Sequence, residues 1–178
     1  MRLRTEYKSP YAAAVWSMVL PGFGQFYNKD YIIGFVLIGF EFLINLYSNL
    51  NLALVYSFTG DFDRAHSVID YRWGMFYPSL YAFAIWQAFN AAKSHNAKAL
   101  GSTMKQRSYY TGFFIGLVLG MDLGLFWHDF AFFNQFKVLS ILNLPVFSGL
   151  TFGLLLGILG NYLEKTFYRK RKAAKALV

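Results

Sequence analysis

The sequence predicts an all-α polytopic membrane protein: four transmembrane helices plus a short N-terminal helix that either re-enters or makes a fifth span. Three observations carry this expectation. Four long apolar stretches alternate with polar ones, and about 18–20 apolar residues suffice to cross the hydrocarbon core. Only 15% of the residues are charged, against roughly 25% in soluble domains. Phe, Tyr and Trp make up 21% of the chain, and such rings gather where lipid meets water. The net charge of +8 comes from basic residues flanking the apolar stretches, as the positive-inside bias places them. The expected partners are therefore the lipid bilayer and another membrane protein or a second copy, and no nucleic acid. There are no cysteines, which excludes disulfides, thiolate metal sites and cysteine nucleophiles.

The chain reads as one membrane domain over residues 1–178. Pro10 suits the first turn of a helix, where its missing N–H is no loss. The first helix covers 11–20 and is stopped by Pro21-Gly22 and Gly24. At fifteen residues or fewer it rises about 22 Å at most, which is short for a span. No cleavable leader is expected, since no small-residue cleavage site follows the first apolar run. The second helix runs from Tyr31 to Tyr56 and completes an N-terminal hairpin over 11–56. Residues 57–73 read as a polar loop, with Tyr71 and Trp73 as interface anchors. The third helix covers 74–92, and a basic loop with Lys93, Lys98, Lys105 and Arg107 follows. The fourth helix covers 109–127, the segment 128–144 is interfacial or opens the next span, and the fifth helix covers 145–167. Residues 168–178 form a basic tail. Charge places that tail, the 93–108 loop and the N-terminus, with Arg2, Arg4 and Lys8, on the cytoplasmic side. The 57–73 and 128–144 segments then face the opposite side. Residues 17–31 can be laid over 116–130, but the likeness is too short to imply duplication.

The junction between the first two helices is the most distinctive stretch. Pro21 blocks helix continuation. Gly22 and Gly24 allow positive φ and close approach of another backbone. Gln25 and Asn28 can bond carbonyls freed at the break, which in lipid must find partners. Phe26, Tyr27 and Tyr31 fit the headgroup level. Leu20-Pro21-Gly22-Phe23-Gly24-Gln25-Phe26-Tyr27-Asn28 resembles the Pro-Gly-x-Gly-Gln-x-Tyr signature of small bacterial membrane proteins. It is similar to the hairpin of the two-transmembrane-helix domain family and to the N-terminal stretch of some sugar-uptake permeases. The resemblance covers residues 8–40 and implies a membrane hairpin in a bacterial cytoplasmic membrane. It implies no particular activity.

Four residues make a candidate intramembrane polar site: Glu41, Asn45 and Asn49, spaced i, i+4, i+8 on one helix face, and Asp122. An ionisable group ten residues into a span is costly and often functional. The alternative is a protonated or hydrogen-bonded Glu41 satisfied by Asn45 and a neighbouring helix. Asp122 could pair with Glu41 only by sharing a proton, since two buried carboxylates do not both ionise cheaply. Seven glycines at four-residue spacing permit close helix contact: Gly112, Gly116, Gly120 and Gly124, then Gly149, Gly153 and Gly157, with Asn161 next in line. They are expected to pack the two helices together, or to join copies. His128-Asp129 reads as an interface cap, and His66 among Asp61, Asp63 and Asp70 as part of a solvated loop without metal-ligand spacing. His95 has no expected role. Ser148-Gly149 lacks the second glycine of a nucleophile elbow. No phosphate loop, dinucleotide fingerprint or metal-protease helix is present. The expected function is a non-enzymatic accessory or interaction protein without cofactor or metal. The alternative is part of a small-solute or ion transporter whose polar path runs past Glu41 and Asp122.

Overall fold

A computed structural model describes residues 6–102, 108–126 and 145–176. All regular structure among the described residues is helical. In chain order the helices are α1 (Pro10–Val19), α2 (Phe23–Asn28), α3 (Tyr31–Ser48), α4 (Leu50–Thr59) and α5 (Phe62–Val68). They continue as α6 (Tyr71–Gly74), α7 (Phe76–Ala99), α8 (Thr111–Phe126) and α9 (Pro145–Ala176). They form two compact units. Among the described residues the first draws on 6–49, 70–102 and 108–109, the second on 50–69, 110–126 and 145–176.

In the first unit, α7 is the central post against which α1, α2 and α3 pack. Alanines make the close approach possible. Ala13 of α1 meets Ala88 and Ala92 of α7, with Tyr27 against them. Leu37 and Ile44 of α3 meet Leu80 and Ala84, with Tyr77 alongside. The buried residues of α3 are Gly34, Leu37, Glu41, Ile44 and Ser48. Their alternating steps of three and four give the single narrow seam expected of a helix packed on one side only. Eighteen residues rise about 27 Å, close to the ~30 Å hydrocarbon thickness. α3 is long and apolar enough to cross a membrane, and only 28% of it is buried. α1, with ten residues, rises only about 15 Å.

In the second unit α8 lies against α9, and α4 against α5. Glycines on α8 bring its backbone onto that of α9. A Cβ added at Gly112 would strike the Gly160 carbonyl, at Gly116 that of Leu156, and at Gly120 that of Phe152. The pairing runs antiparallel in steps of one turn.

Several boundaries differ from those expected. The helix expected to run to Tyr56 breaks at Asn49, which is left-handed at φ 55° and separates α3 from α4. Asn tolerates that conformation because its short side chain can bond locally. The expected 57–73 loop is largely helical. Asp61 caps α5 by accepting the Arg64 N–H at 3.2 Å, and Asp70 caps α6 by accepting that of Arg72 at 2.9 Å. The polar residues that suggested a loop are the capping residues of two short helices. α7 and α9 outrun their expected ends at 92 and 167, because Ala, Lys and Arg extend a helix well past its apolar stretch. The interfacial segment 128–144, His128-Asp129, Trp127, Lys105, Arg107, Arg2 and Arg4 lie outside the described residues.

Candidate functional site

The hairpin junction is built from its glycines. Ser9 caps α1, its Oγ accepting the Ala12 N–H at 3.3 Å, and Pro10 opens the helix. At the far end Gly22 adopts φ 109°, which turns the chain into the single-turn helix α2. A Cβ on Gly22 would also press on the Gly34 carbonyl and on Ile38. Gly24 sits where a Cβ would overlap the Ala13 carbonyl, Ser17 Oγ and the Ala88 methyl. These two glycines let α2 enter between α1 and its neighbours.

That entry carries Gln25 into the interior, where it is fully buried. Gln25 Nε2 donates to the Ala84 carbonyl and to Gln87 Oε1, both at 2.8 Å, and Ser17 Oγ donates to Gln25 Oε1 at 3.2 Å. One turn on, Asn28 Nδ2 donates to the Ala88 carbonyl at 2.7 Å. Tyr27 Oη accepts the Ser9 N–H at 3.0 Å, and Lys8 Nζ lies 5.1 Å from the Tyr27 ring centre. Asn96 closes the far end. Its Oδ1 accepts the Lys8 N–H at 2.9 Å and its Nδ2 donates to the Lys8 carbonyl at 2.7 Å. His95 Nε2 stands 3.5 Å from Asp30 Oδ1. Lys8 also pairs with Glu6 at 2.8 Å and holds that exposed carboxyl below its ordinary range. Gly24, Gln25 and Tyr27 thus join one network that ties α1 and α2 to α7, while Gly22 packs on α3 and Pro21 is buried at the break. Ser17, Gln87 and Asn96 belong to it too. They lay outside the sequence reading because isolated Ser, Gln and Asn residues carry no spacing signal.

The second polar cluster lies on the α3–α7 seam. Glu41 is 6% exposed. Asn45 Nδ2 donates to Glu41 Oε1 at 2.7 Å. Tyr81 Oη lies 3.4 Å from the same oxygen, Tyr77 Oη 3.3 Å from it, and the two hydroxyls are 3.0 Å apart. Glu41 Oε2 and Asn45 Oδ1 are both buried without a hydrogen-bond partner among the described residues. Glu41 and Asn45 are therefore brought together, with two tyrosines that the α3 pattern alone could not reveal. Tyr77 and Tyr81 are themselves i, i+4 on α7, a spacing that puts both hydroxyls on one face. Asn49 is exposed and ends α3, its N–H bonding the Asn45 carbonyl at 3.1 Å. Asp122 belongs to α8 in the second unit, with Oδ1 buried and unpartnered among the described residues.

Along α8 and α9 the expected Gly149 has only ordinary contacts, whereas Gly153 meets Met121 and Gly157 meets Phe113. Gly160 also lies on this seam, against the Gly112 carbonyl. The Gly112 N–H donates to Glu164 Oε2 at 2.8 Å. Ser148 is fully buried beside Gly124. Among the described residues no cluster of three or more His, Asp or Glu is placed to hold a metal. His66 lies in the last turn of α5.

Residues 6–70 are similar to a family described as of unknown function (DUF5683). No curated protein matches the chain, and no solved structure does. The family stretch takes in the hairpin network's N-terminal half together with Glu41 and Asn45, and it ends before the tyrosines.

Proposed function

We propose that this is a small multi-pass protein of the bacterial cytoplasmic membrane with a non-enzymatic accessory or interaction role. The observation that carries the reading is how the polar and apolar groups of the first unit are used. The amide donors of Gln25 and Asn28 are committed to α7, so the hairpin that resembles membrane-protein signatures serves as a brace. Meanwhile α3 turns Ile32, Phe35, Phe42 and Leu46 outward, Ile32 being 83% exposed. Patches of that kind mark a membrane or partner surface. On α9, Leu154, Leu155 and Ile158 are exposed in the same way. α7, α8 and α9 are the further spans in this reading, with α1 and α2 as a re-entrant arm too short to cross. The basic end of α9, with Arg169, Lys170 and Arg171 exposed, faces the cytoplasm and its anionic lipid.

The test is photo-crosslinking in native membranes, with a benzophenone side chain at Phe35 and at Phe42. A recurrent protein adduct supports the reading, and adducts to lipid alone at both positions refute it. A transporter component is the second reading, favoured by the unpartnered carboxylate oxygen of Glu41. Under it, Glu41→Gln changes solute or proton flux at normal expression. Under the accessory reading flux is absent from both proteins.

A further inference from the structure

Glu41 carries an asymmetry that hydrogen bonding alone leaves unexplained. The donors in reach converge on Oε1: the Asn45 amide at 2.7 Å and the Tyr77–Tyr81 hydroxyl pair at 3.3 and 3.4 Å, whose two protons also serve the 3.0 Å bond between them. None reaches Oε2. An ionised carboxylate shares its charge equally between its two oxygens and calls for donors on both. A carboxylic acid does not, because Oε1 is then a carbonyl acceptor and Oε2 a hydroxyl donor. The residue that supplies the amide donor also has an acceptor without a donor, Asn45 Oδ1. One proton accounts for both orphans. Placed on Oε2 and directed to Asn45 Oδ1, it closes a two-bond acid–amide ring with the Nδ2–Oε1 bond already formed. Residues four apart on a helix stand as neighbours, close enough for such a ring.

We propose that Glu41 and Asn45 form a proton-binding site, with the proton on Glu41 Oε2 donated to Asn45 Oδ1 and with Tyr77 and Tyr81 holding Oε1. The groups acting on the carboxyl are Asn45 of its own helix and the two tyrosines of α7, and no charged side chain acts on it among the described residues. From the other elements packed on α3, Tyr27 of α2 is bonded to Ser9, and Arg72 of α6 to Asp70 at 2.6 Å. Tyr71, the other titratable side chain of α6, is a phenol, so among the described residues no cation acts to stabilise an ionised Glu41. Release of the proton leaves a charged carboxylate facing the Asn45 carbonyl oxygen, and the ring opens. This inference rests on the geometry of the first unit and stands whether the protein's role is accessory or transport.

The test uses the full chain in lipid vesicles, labelled with carboxyl-13C glutamate and read by infrared spectroscopy near neutral pH. The chain has three glutamates, Glu6, Glu41 and Glu164. One 13C-shifted carboxylic acid C=O band is expected. It moves in D2O, is absent in Glu41→Gln and persists in Glu164→Gln. In Asn45→Leu it shifts to higher frequency as the donated bond is lost. Carboxylate bands alone in the labelled wild type overturn the proposal. So does an acid band that disappears on adding sodium or potassium ions, which makes the pair a metal-cation site. If Glu41→Gln does not fold, the Asn45→Leu spectrum decides, and an unshifted band there overturns the pairing.

Discussion

Replacing Gln25 by Ala is the sharpest probe of the hairpin brace. The side chain is fully buried and makes three hydrogen bonds, to Ser17, the Ala84 carbonyl and Gln87. A net hydrogen bond is worth about 1 kcal/mol in water-soluble proteins and about 0.6 kcal/mol within membranes. Three of them come to roughly 2–3 kcal/mol, and a small void remains where the amide stood. The expected loss is roughly 2–4 kcal/mol, well above the ~0.5 kcal/mol of an inconsequential surface change. The assay is reversible unfolding of the full chain in detergent, followed by circular dichroism as SDS is added. Gln25→Glu sharpens the test. It keeps the shape but replaces the Nε2 donor with an acceptor facing two acceptor oxygens. The Gln25→Glu variant must therefore be no better tolerated than Gln25→Ala. If Gln25→Ala unfolds within about 0.5 kcal/mol of wild type, or if Gln25→Glu is harmless, the brace does not hold α2 to α7.

Gly24→Ala forces the new methyl against the Ala13 carbonyl and Ser17 Oγ and is expected to cost about 1–3 kcal/mol by overpacking. Gly39→Ala, with nothing within 4 Å, should instead gain about 0.5–1 kcal/mol of helix propensity in the same assay. Gly120→Val drives a side chain into the Phe152 carbonyl and should lower the melting temperature, while Gly39→Ser, at an open helical site, changes it far less. The Asp70 carboxyl is held below its ordinary range first by its bond from the Arg72 side chain, then by the Arg72 N–H and charge. Its contribution is therefore present above the unfolded carboxylate value of about 3.9 and is lost as pH falls through the lower folded value. The Arg72 amide NMR shift should titrate in that acid window and stay flat in Asp70→Asn. On the cysteine-free background, a cysteine replacing Ser67 should label from outside the cell and one replacing Ser102 from inside. Reversed labels refute the charge-based topology.

The helical class was legible because long apolar stretches and their flanking charges state it directly. The junction was legible residue by residue, since Pro21 blocks a helix while Gly22 and Gly24 permit a backbone conformation or a close approach that other residues do not. What Gln25 and Asn28 bond was not legible. Their partners are chiefly main-chain carbonyls of Ala84 and Ala88, and a carbonyl has no sequence signature. The pairing of Glu41 with Asn45 followed from helical spacing, while Tyr77 and Tyr81 required knowing that α7 packs on α3. The break at Asn49 escaped because apolar residues resume on both sides of it, so hydropathy runs through an interruption that only backbone geometry exposes. Helix ends were missed wherever a helix outlasts its apolar stretch, as α7 and α9 do.

The hairpin's amides find their acceptors 59 to 62 residues further along the chain. At roughly 5–20 residues per second of synthesis, α7 follows several seconds after the hairpin has left the ribosome. For that interval Gln25 and Asn28 have no carbonyl of α7 to bond, and water or an insertion factor must serve in its place. If the chain is membrane-embedded as proposed, a nascent chain arrested before Ala84 should keep its hairpin residues at the wet boundary of the bilayer and settle them only once translation resumes.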